Sequence, residues 1–285
     1  MKMYKGIDIS GYNPVADYGK VAKAVNFAIL KIIRQDGNMD KLFTTHLNGC
    51  RANGLHVQGV YNYSYATSVA KAQSDAQKVV TYLKQSGLSC AVWLDVEDTC
   101  QKGLGQKLID IVLAYKAVID AAGYPFGIYT GLSFYNSYFK PFQAQIAMIP
   151  MWVARYPSTA KMGITKSPDA SKNPNIPNEV AWQYTSKAVV PGINGVVDMS
   201  EFYGPLAITD SAPVVAPTTS KYYPKYTGAT NTSLISGLKG VGEKDTTYIH
   251  RAKIAAANGF KNYKGTAEQN LKMLSLLKEG KLIKA

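Results

Sequence analysis

The sequence predicts an α/β fold: an irregular (β/α) barrel with incomplete helices, followed by a small C-terminal helical domain. Three observations carry this. Short apolar runs alternate with helical patterns through the first two thirds of the chain, eight such runs occur there, and a Pro/Ser/Thr-rich stretch separates them from a short basic remainder.

The candidate strands are 4–9, 25–33, 56–63, 91–96, 126–130, 151–154, 180–184 and 195–199, with helical patterns at 40–53, 67–86 and 104–122 between the early ones. Strands alternating with helices argue for parallel β/α units. Eight strands in about 200 residues fit a closed barrel. Past Thr130 the alternation weakens, and 156–178 carries Pro157, Pro168, Pro174 and Pro177, so helices should be missing from the second half. The run from Thr209 to Ser220 has no apolar periodicity and reads as a linker, dividing the chain into a barrel at 1–208, a linker at 209–220 and a small domain at 221–285.

In the small domain, 246–258 and 267–278 look helical, with a third short helix near 234–238. Thr266 and Gln269 fit a capping box, in which each side chain takes the other's free backbone N–H. Leu271, Leu274 and Leu277 form one apolar face, and Gly259 and Gly280 are helix stops.

The 285 residues carry a net charge of +13. Residues 221–285 hold 12 Lys+Arg against 4 Asp+Glu, a net of +8, so the small domain is far more basic per residue. Such charge calls for an anionic partner. No nucleic-acid motif or arginine-rich run is present, which argues against nucleic acid. No run reaches the ~18 apolar residues of a membrane span, so no membrane insertion is expected. The first residues lack the apolar stretch and small-residue cleavage site of a signal peptide, which implies cytoplasmic synthesis without one. Cys50, Cys90 and Cys100 make neither a disulfide framework nor a zinc pattern, and His46, His56 and His250 are isolated, so neither a metal nor a cofactor is expected.

The chemistry concentrates in Val92-Trp93-Leu94-Asp95-Val96-Glu97-Asp98. Side chains alternate along a strand, so Trp93, Asp95 and Glu97 share a face. Two acids at a strand's C-terminal end sit where barrel enzymes keep their sites. Proximity and desolvation raise one pKa, giving a protonated acid beside an ionised one, as glycoside cleavage requires. Asp8 lies within the apolar first strand and Asp198 within the last. First and last strands are neighbours in a closed barrel, so four acids should converge on one mouth. Aromatics at strand ends, Tyr61, Trp93, Trp182 and Tyr184 foremost, offer stacking surfaces for sugar rings.

Residues 4–203, about 70% of the chain, resemble glycoside hydrolase family 25, the muramidases of phage endolysins and bacterial autolysins. The resemblance rests on Gly6-Ile7-Asp8-Ile9-Ser10, Asp17-Tyr18, Phe27-Ala28-Ile29-Leu30-Lys31, Gly59-Val60-Tyr61-Asn62-Tyr63, Trp93-Leu94-Asp95-Val96-Glu97, Trp152-Val153-Ala154-Arg155-Tyr156, Trp182-Gln183-Tyr184 and Val197-Asp198. It implies hydrolysis of the β-1,4 bond between N-acetylmuramic acid and N-acetylglucosamine in peptidoglycan glycan strands. Glu97 is then the proton donor, Asp95 orients the acetamido group or stabilises the developing cation, and Asp8 and Asp198 support them. Tyr61, Tyr63, Trp93, Tyr129, Trp152, Arg155, Trp182 and Tyr184 are the candidate substrate-binding residues. Asn62 stands where the family usually has His, which would remove a titratable group. The small domain resembles, less specifically, wall-binding modules of lysins, with an anionic cell-wall polymer as the partner of 221–285. The lack of a signal peptide and the single compact wall module favour a phage enzyme. Two other readings stay open: a metal-dependent phosphodiesterase using the same acids as oxygen ligands, and a wall-binding protein whose barrel has lost catalysis.

Overall fold

Alternation along each strand sorts side chains into an inner and an outer layer, and this sorting builds the barrel. In the computed structural model, which describes residues 3–203, 222–228, 233–243, 245–260 and 262–284, the chain divides into two compact units, Met1–Pro213 and Val214–Ala285. The linker expected at 209–220 lies outside the described residues.

In the first unit, β1 (Met3–Ile9), β2 (Phe27–Lys31), β3 (His56–Tyr63), β4 (Ala91–Asp95), β5 (Phe126–Gly131) and β6 (Met151–Ala154) pair in parallel in that order. A two-residue strand, β7 (Met162–Gly163), pairs only with the edge of β8 (Glu179–Val189). β8 pairs in parallel with β6, and β9 (Val197–Tyr203) runs antiparallel to both β8 and β1. The eight strands other than β7 thus close into a mixed barrel. The parallel units expected from the sequence hold through β6. The last strand departs from them, because the short turn after Val189 can only return the chain in the opposite direction.

Helices α1 (Tyr18–Ala24), α2 (Phe43–Ala52), α3 (Val69–Ser86) and α4 (Gln106–Ala121) lie between the first five strands; α1 went unrecognised in the sequence for want of a full apolar stripe. Asp17 and Ser68 cap α1 and α3 with their side chains, and Gly87, left-handed at φ 60°, ends α3. After β5 the first unit has only the single turn α5 (Leu132–Phe134), short π and 3-10 turns to Ile146 and a 3-10 turn at Ala170–Lys172, so long helices are missing from the second half.

The outer layer packs Ile7, Ile9, Leu30, Val92 and Leu94 against helical residues such as Val79, Ile109 and Val112. The barrel interior holds Phe27, Ile29, Trp93, Tyr129, Trp152, Ala154, Ala181 and Phe202. Trp93 is its centre, edge-on to Trp152 and to Phe202 at 5.7 Å between ring centroids in each case. Two glycines make room for this indole: a Cβ at Gly127 would stand 2.3 Å from Trp93 Cζ3, and one at Gly59 3.0 Å from its Cδ1.

In the second unit, α6 (Leu234–Gly240), α7 (Tyr248–Ala257) and α8 (Ala267–Glu279) surround Leu238, Ile254, Met273, Leu277 and Leu282. The Thr266–Gln269 capping box forms in both directions, and Gly280 closes α8 at φ 71°. Leu271 does not join the apolar face expected of it: it is 62% exposed, and Met273 takes its place beside Leu274 and Leu277.

The interior fit generates a first prediction. Gly127→Ala is expected to destabilise the barrel by about 1–3 kcal/mol, read as a lowered thermal midpoint, because the new methyl group displaces Trp93. Gly163→Ala, with no atom within 4 Å of the added carbon, should stay within about 0.5 kcal/mol of the parent.

Candidate active site

Strand pairing brings the first two acids together. In the β1–β9 ladder Asp8 is the direct partner of Asp198. Asp8 stands near the end of β1 and Asp198 at the start of β9, so the antiparallel direction of β9 is what puts both at the same rim. Like charges directly opposite each other are unfavourable in a sheet. Asp95 ends β4, next to Tyr63 of β3 and Tyr129 of β5 in register. Glu97 lies two residues beyond β4, which stops at Asp95 rather than at residue 96. Past the ladder, the Val96 N–H still bonds Tyr129 O at 2.9 Å and Thr130 Oγ1 donates to Val96 O at 2.7 Å, which holds the segment carrying Glu97.

All four acids line one pocket of about 200 Å³, together with Tyr61, Tyr63, Tyr129, Trp152, Tyr156, Gln183 and Lys31. A second, larger pocket of about 570 Å³ adjoins it and shares Glu97 and Tyr156. Glu97 therefore stands where the two meet.

Burial dominates the electrostatics. It drives the Asp8 carboxyl well above the usual range, reinforced by the Asp198 charge and opposed by a hydrogen bond from Gln183. Burial likewise raises Asp95 well above that range, with the Glu97 charge next and Lys31 pulling down. Glu97 is raised by burial, then by Asp198 and Asp98. Asp198 is pushed up to about 6 by burial, with Lys187 opposing. Asp95 Oδ1 is buried without a hydrogen-bond partner, an acceptor whose capacity is unused within the protein.

Gln183 and Tyr156, not singled out in the sequence, complete the site. Gln183 Nε2 donates to Asp8 Oδ2 at 2.8 Å, while its Oε1 accepts from the hydroxyls of Tyr129 (2.7 Å) and Tyr156. Two hydroxyl donors on the oxygen fix the amide with its nitrogen toward the acid. The available signal was a polar residue in the middle of the apolar run of β8, which on a barrel strand faces inward only if it has partners.

The aromatic expectations divide. Tyr61, Tyr63, Tyr129 and Trp152 line the acidic pocket. Tyr63 donates to Asp98 Oδ2 at 3.1 Å, and Trp152 Nε1 donates to Ser200 Oγ at 3.0 Å. Arg155 lines the larger pocket. Trp182 and Tyr184 do not reach either: with Gln183 inward, strand alternation sends both into the outer layer, where Trp182 Nε1 donates to Arg155 O at 2.8 Å. Trp93 faces inward as expected, but it packs in the interior at 4% exposure and lines neither pocket. Asn62 is buried, donates to Tyr63 O at 3.0 Å, and also lines neither pocket. Among the described residues, no group of three or more His, Cys, Asp or Glu is arranged to hold a metal ion. The arrangement suits proton transfer and stabilisation of a nearby positive charge in a partly dry pocket.

The profile of Glycosyl hydrolases family 25 matches residues 7–193. An autolytic lysozyme of Clostridium acetobutylicum is 27% identical over 203 residues, covering 70% of this chain and 55% of the relative. The modular autolysin LytC from Streptococcus pneumoniae superposes with a TM-score of 0.59 at 25% identity, covering 70% of this chain and 47% of LytC. The catalytic domain of endolysin ply40, from a bacteriophage of Listeria monocytogenes, superposes with a TM-score of 0.59 at 23% identity, covering 71% and 94%. The chain thus spans about half the length of the lysozyme and of LytC.

The crowding of acids has a measurable consequence. A carboxyl raised in the folded state binds its proton more tightly there than in the unfolded chain, so its contribution to stability is present below the unfolded value near 4 and is lost as pH rises through the folded one. For Asp198 that window runs from about 4 to about 6. Asp198→Asn is therefore expected to melt higher than the parent at pH 7.5, by about 2–4 °C for each kcal/mol of repulsion relieved. The gap should close toward pH 4, as followed by calorimetry.

Proposed function

This chain belongs to glycosyl hydrolases family 25, and from that premise we propose that it is a muramidase, hydrolysing the β-1,4 bond between N-acetylmuramic acid and N-acetylglucosamine in bacterial peptidoglycan. The observation that carries the reading is the convergence of Asp8, Asp95, Glu97 and Asp198 on one pocket, with Glu97 at its junction with a larger one. A glycosidic oxygen bridges two sugars, and an acid between two pockets is placed to protonate it as the bond breaks.

In this mechanism Glu97 is the proton donor. As the leaving oxygen departs with the Glu97 proton, positive charge grows at the muramic acid C1, and water then supplies the new C1–O bond and the proton that restores the site. The carboxylates of Asp8, Asp95 and Asp198 meet that charge in a low-dielectric pocket, where each is more effective than in water. The Asp95 carboxylate, whose Oδ1 has no partner within the protein, is the acceptor for the substrate acetamido N–H. Gln183 holds Asp8 in place, with Tyr129 and Tyr156 behind it. Tyr61 and Tyr63 present rings and hydroxyls to the sugar, and Arg155 serves the larger pocket.

The second unit, with its excess of basic residues, binds an anionic cell-wall polymer and keeps the barrel on its substrate by raising the local concentration. The likeness to a phage endolysin catalytic domain supports a phage enzyme acting at the host wall. Among the described residues, no helix is long and apolar enough to cross a membrane.

Glu97→Gln is expected to lower the release of reducing ends from purified walls by about 10²–10⁴-fold without lowering the thermal midpoint. Mass spectrometry of the fragments from the parent enzyme should show muramic acid at the new reducing ends. Activity undiminished by EDTA would set aside the phosphodiesterase reading. Sedimentation of the full chain with walls should weaken several-fold once anionic polymers are extracted, or as salt is raised. Equal binding to extracted walls would refute the charge-based role of the second unit.

A further inference from the structure

A pocket lined by four buried or half-buried acids also contains one basic side chain, Lys31. It is the last residue of β2, after Phe27, Ala28, Ile29 and Leu30, all fully buried. Phe27 and Ile29 belong to the barrel interior and Ala28 and Leu30 to the outer layer. Alternation then turns Lys31 inward, at the top of the interior column and at the floor of the mouth.

Its surroundings hold the ammonium without neutralising it. Nζ lies 5.6 Å from the ring centroid of Tyr63 and 5.9 Å from that of Tyr61, within reach of both π faces. Lys31 pairs with Tyr61 across β2–β3, and Tyr63 pairs with Asp95 across β3–β4. Among the described residues, Lys31 makes no ion pair within 4.0 Å. A lysine bound into a stable salt bridge would be half of a structural pair. One held near two tyrosine rings leaves its ammonium without a paired carboxylate.

We propose that Lys31 is the internal counter-charge of the mouth, a positioning residue that acts through Asp95. The inference rests on the muramidase reading. Asp95 faces Glu97 from its own strand exit, Asp8 from β1, Asp198 from β9, the hydroxyls of Tyr61 and Tyr63 from β3 and of Tyr129 from β5, and Lys31 from β2. Burial and the three acids favour its protonated form, and Lys31 favours the ionised one. A mouth in which burial filled every acid with a proton would have no negative charge to meet the developing cation. Lys31 works against that filling, and so favours Asp95 as an acceptor for the substrate.

The test compares the full-length parent with Lys31→Met, Lys31→Gln and Lys31→Arg, with kcat and KM measured on purified peptidoglycan across pH. Losing the charge should move the acidic limb of kcat/KM upward by about one to two pH units, leaving the alkaline limb in place. Lys31→Arg should restore the limb. NMR titration of the Asp95 carboxyl should show the same upward shift without any substrate. An acidic limb that stays put in both uncharged variants, or a loss confined to KM, overturns the proposal. If Lys31→Met fails to fold, Lys31→Gln and the NMR titration decide it. A parent enzyme that releases no reducing ends sinks the muramidase reading instead, and the carboxyl titration still judges Lys31.

Discussion

The pairing of Asp8 with Asp198 across the β1–β9 seam is the constraint on which the rest of the site depends. Closing the barrel requires β9 to lie against β1, and the register of that ladder sets two carboxylates side by side at the rim. On electrostatic grounds alone the seam should open. It holds because the same ladder carries Ile7 and Met199 into the outer apolar layer and Phe202 into the interior. Hydrophobic burial spread along the strands outweighs a repulsion confined to one end, and that repulsion is kept in the folded state as raised proton affinity. Sites that function by crowding like charges are commonly less stable than neutral versions of themselves.

Rigid support makes the crowding usable. Beneath the acids, Trp93 packs edge-on to Trp152 and Phe202, and those two rings meet at a tilt, giving an aromatic floor in which the Trp93 N–H is buried without a partner. Beside Asp8, Gln183 ties that acid to two tyrosine hydroxyls from β5 and the loop after β6. A network of this kind is directional at each member, so rotating one side chain disturbs the others. Trp93 and Gln183 thus play complementary parts: one excludes solvent from below, and the other orients a charge from the side. Lys31 adds the opposite sign where these layers meet.

The second unit follows a different logic. Its local signals are strong and independent of tertiary context: a capping box, a left-handed glycine and short polar connections. Its core is small and rests on a few side chains, Leu238, Ile254, Met273 and Leu277 among them. Exposure of Leu271 shows how little a three-residue spacing says about which flank of an apolar stripe is covered when two neighbouring helices compete for it.

Much of the barrel was legible in the chain itself. Period-two alternation locates the strands and turns Asp95 inward. Pro-rich runs locate the missing helices, and turn chemistry locates the ends. The same alternation could not say which face of Trp182-Gln183-Tyr184 looks inward, since either two aromatics or one amide satisfies the period. Only ring closure decides it, because the amide finds Asp8 and two hydroxyls there and the aromatics find an apolar layer behind. The direction of β9 is also absent from any local pattern, yet it places Asp198. Sequence by itself therefore determined which residues are acids, aromatics and strand formers. Which of them share one pocket was decided by the closed ring, because the pairing of residues 8 and 198 and the shared pocket of 31 and 95 exist only once strands distant in the chain lie side by side.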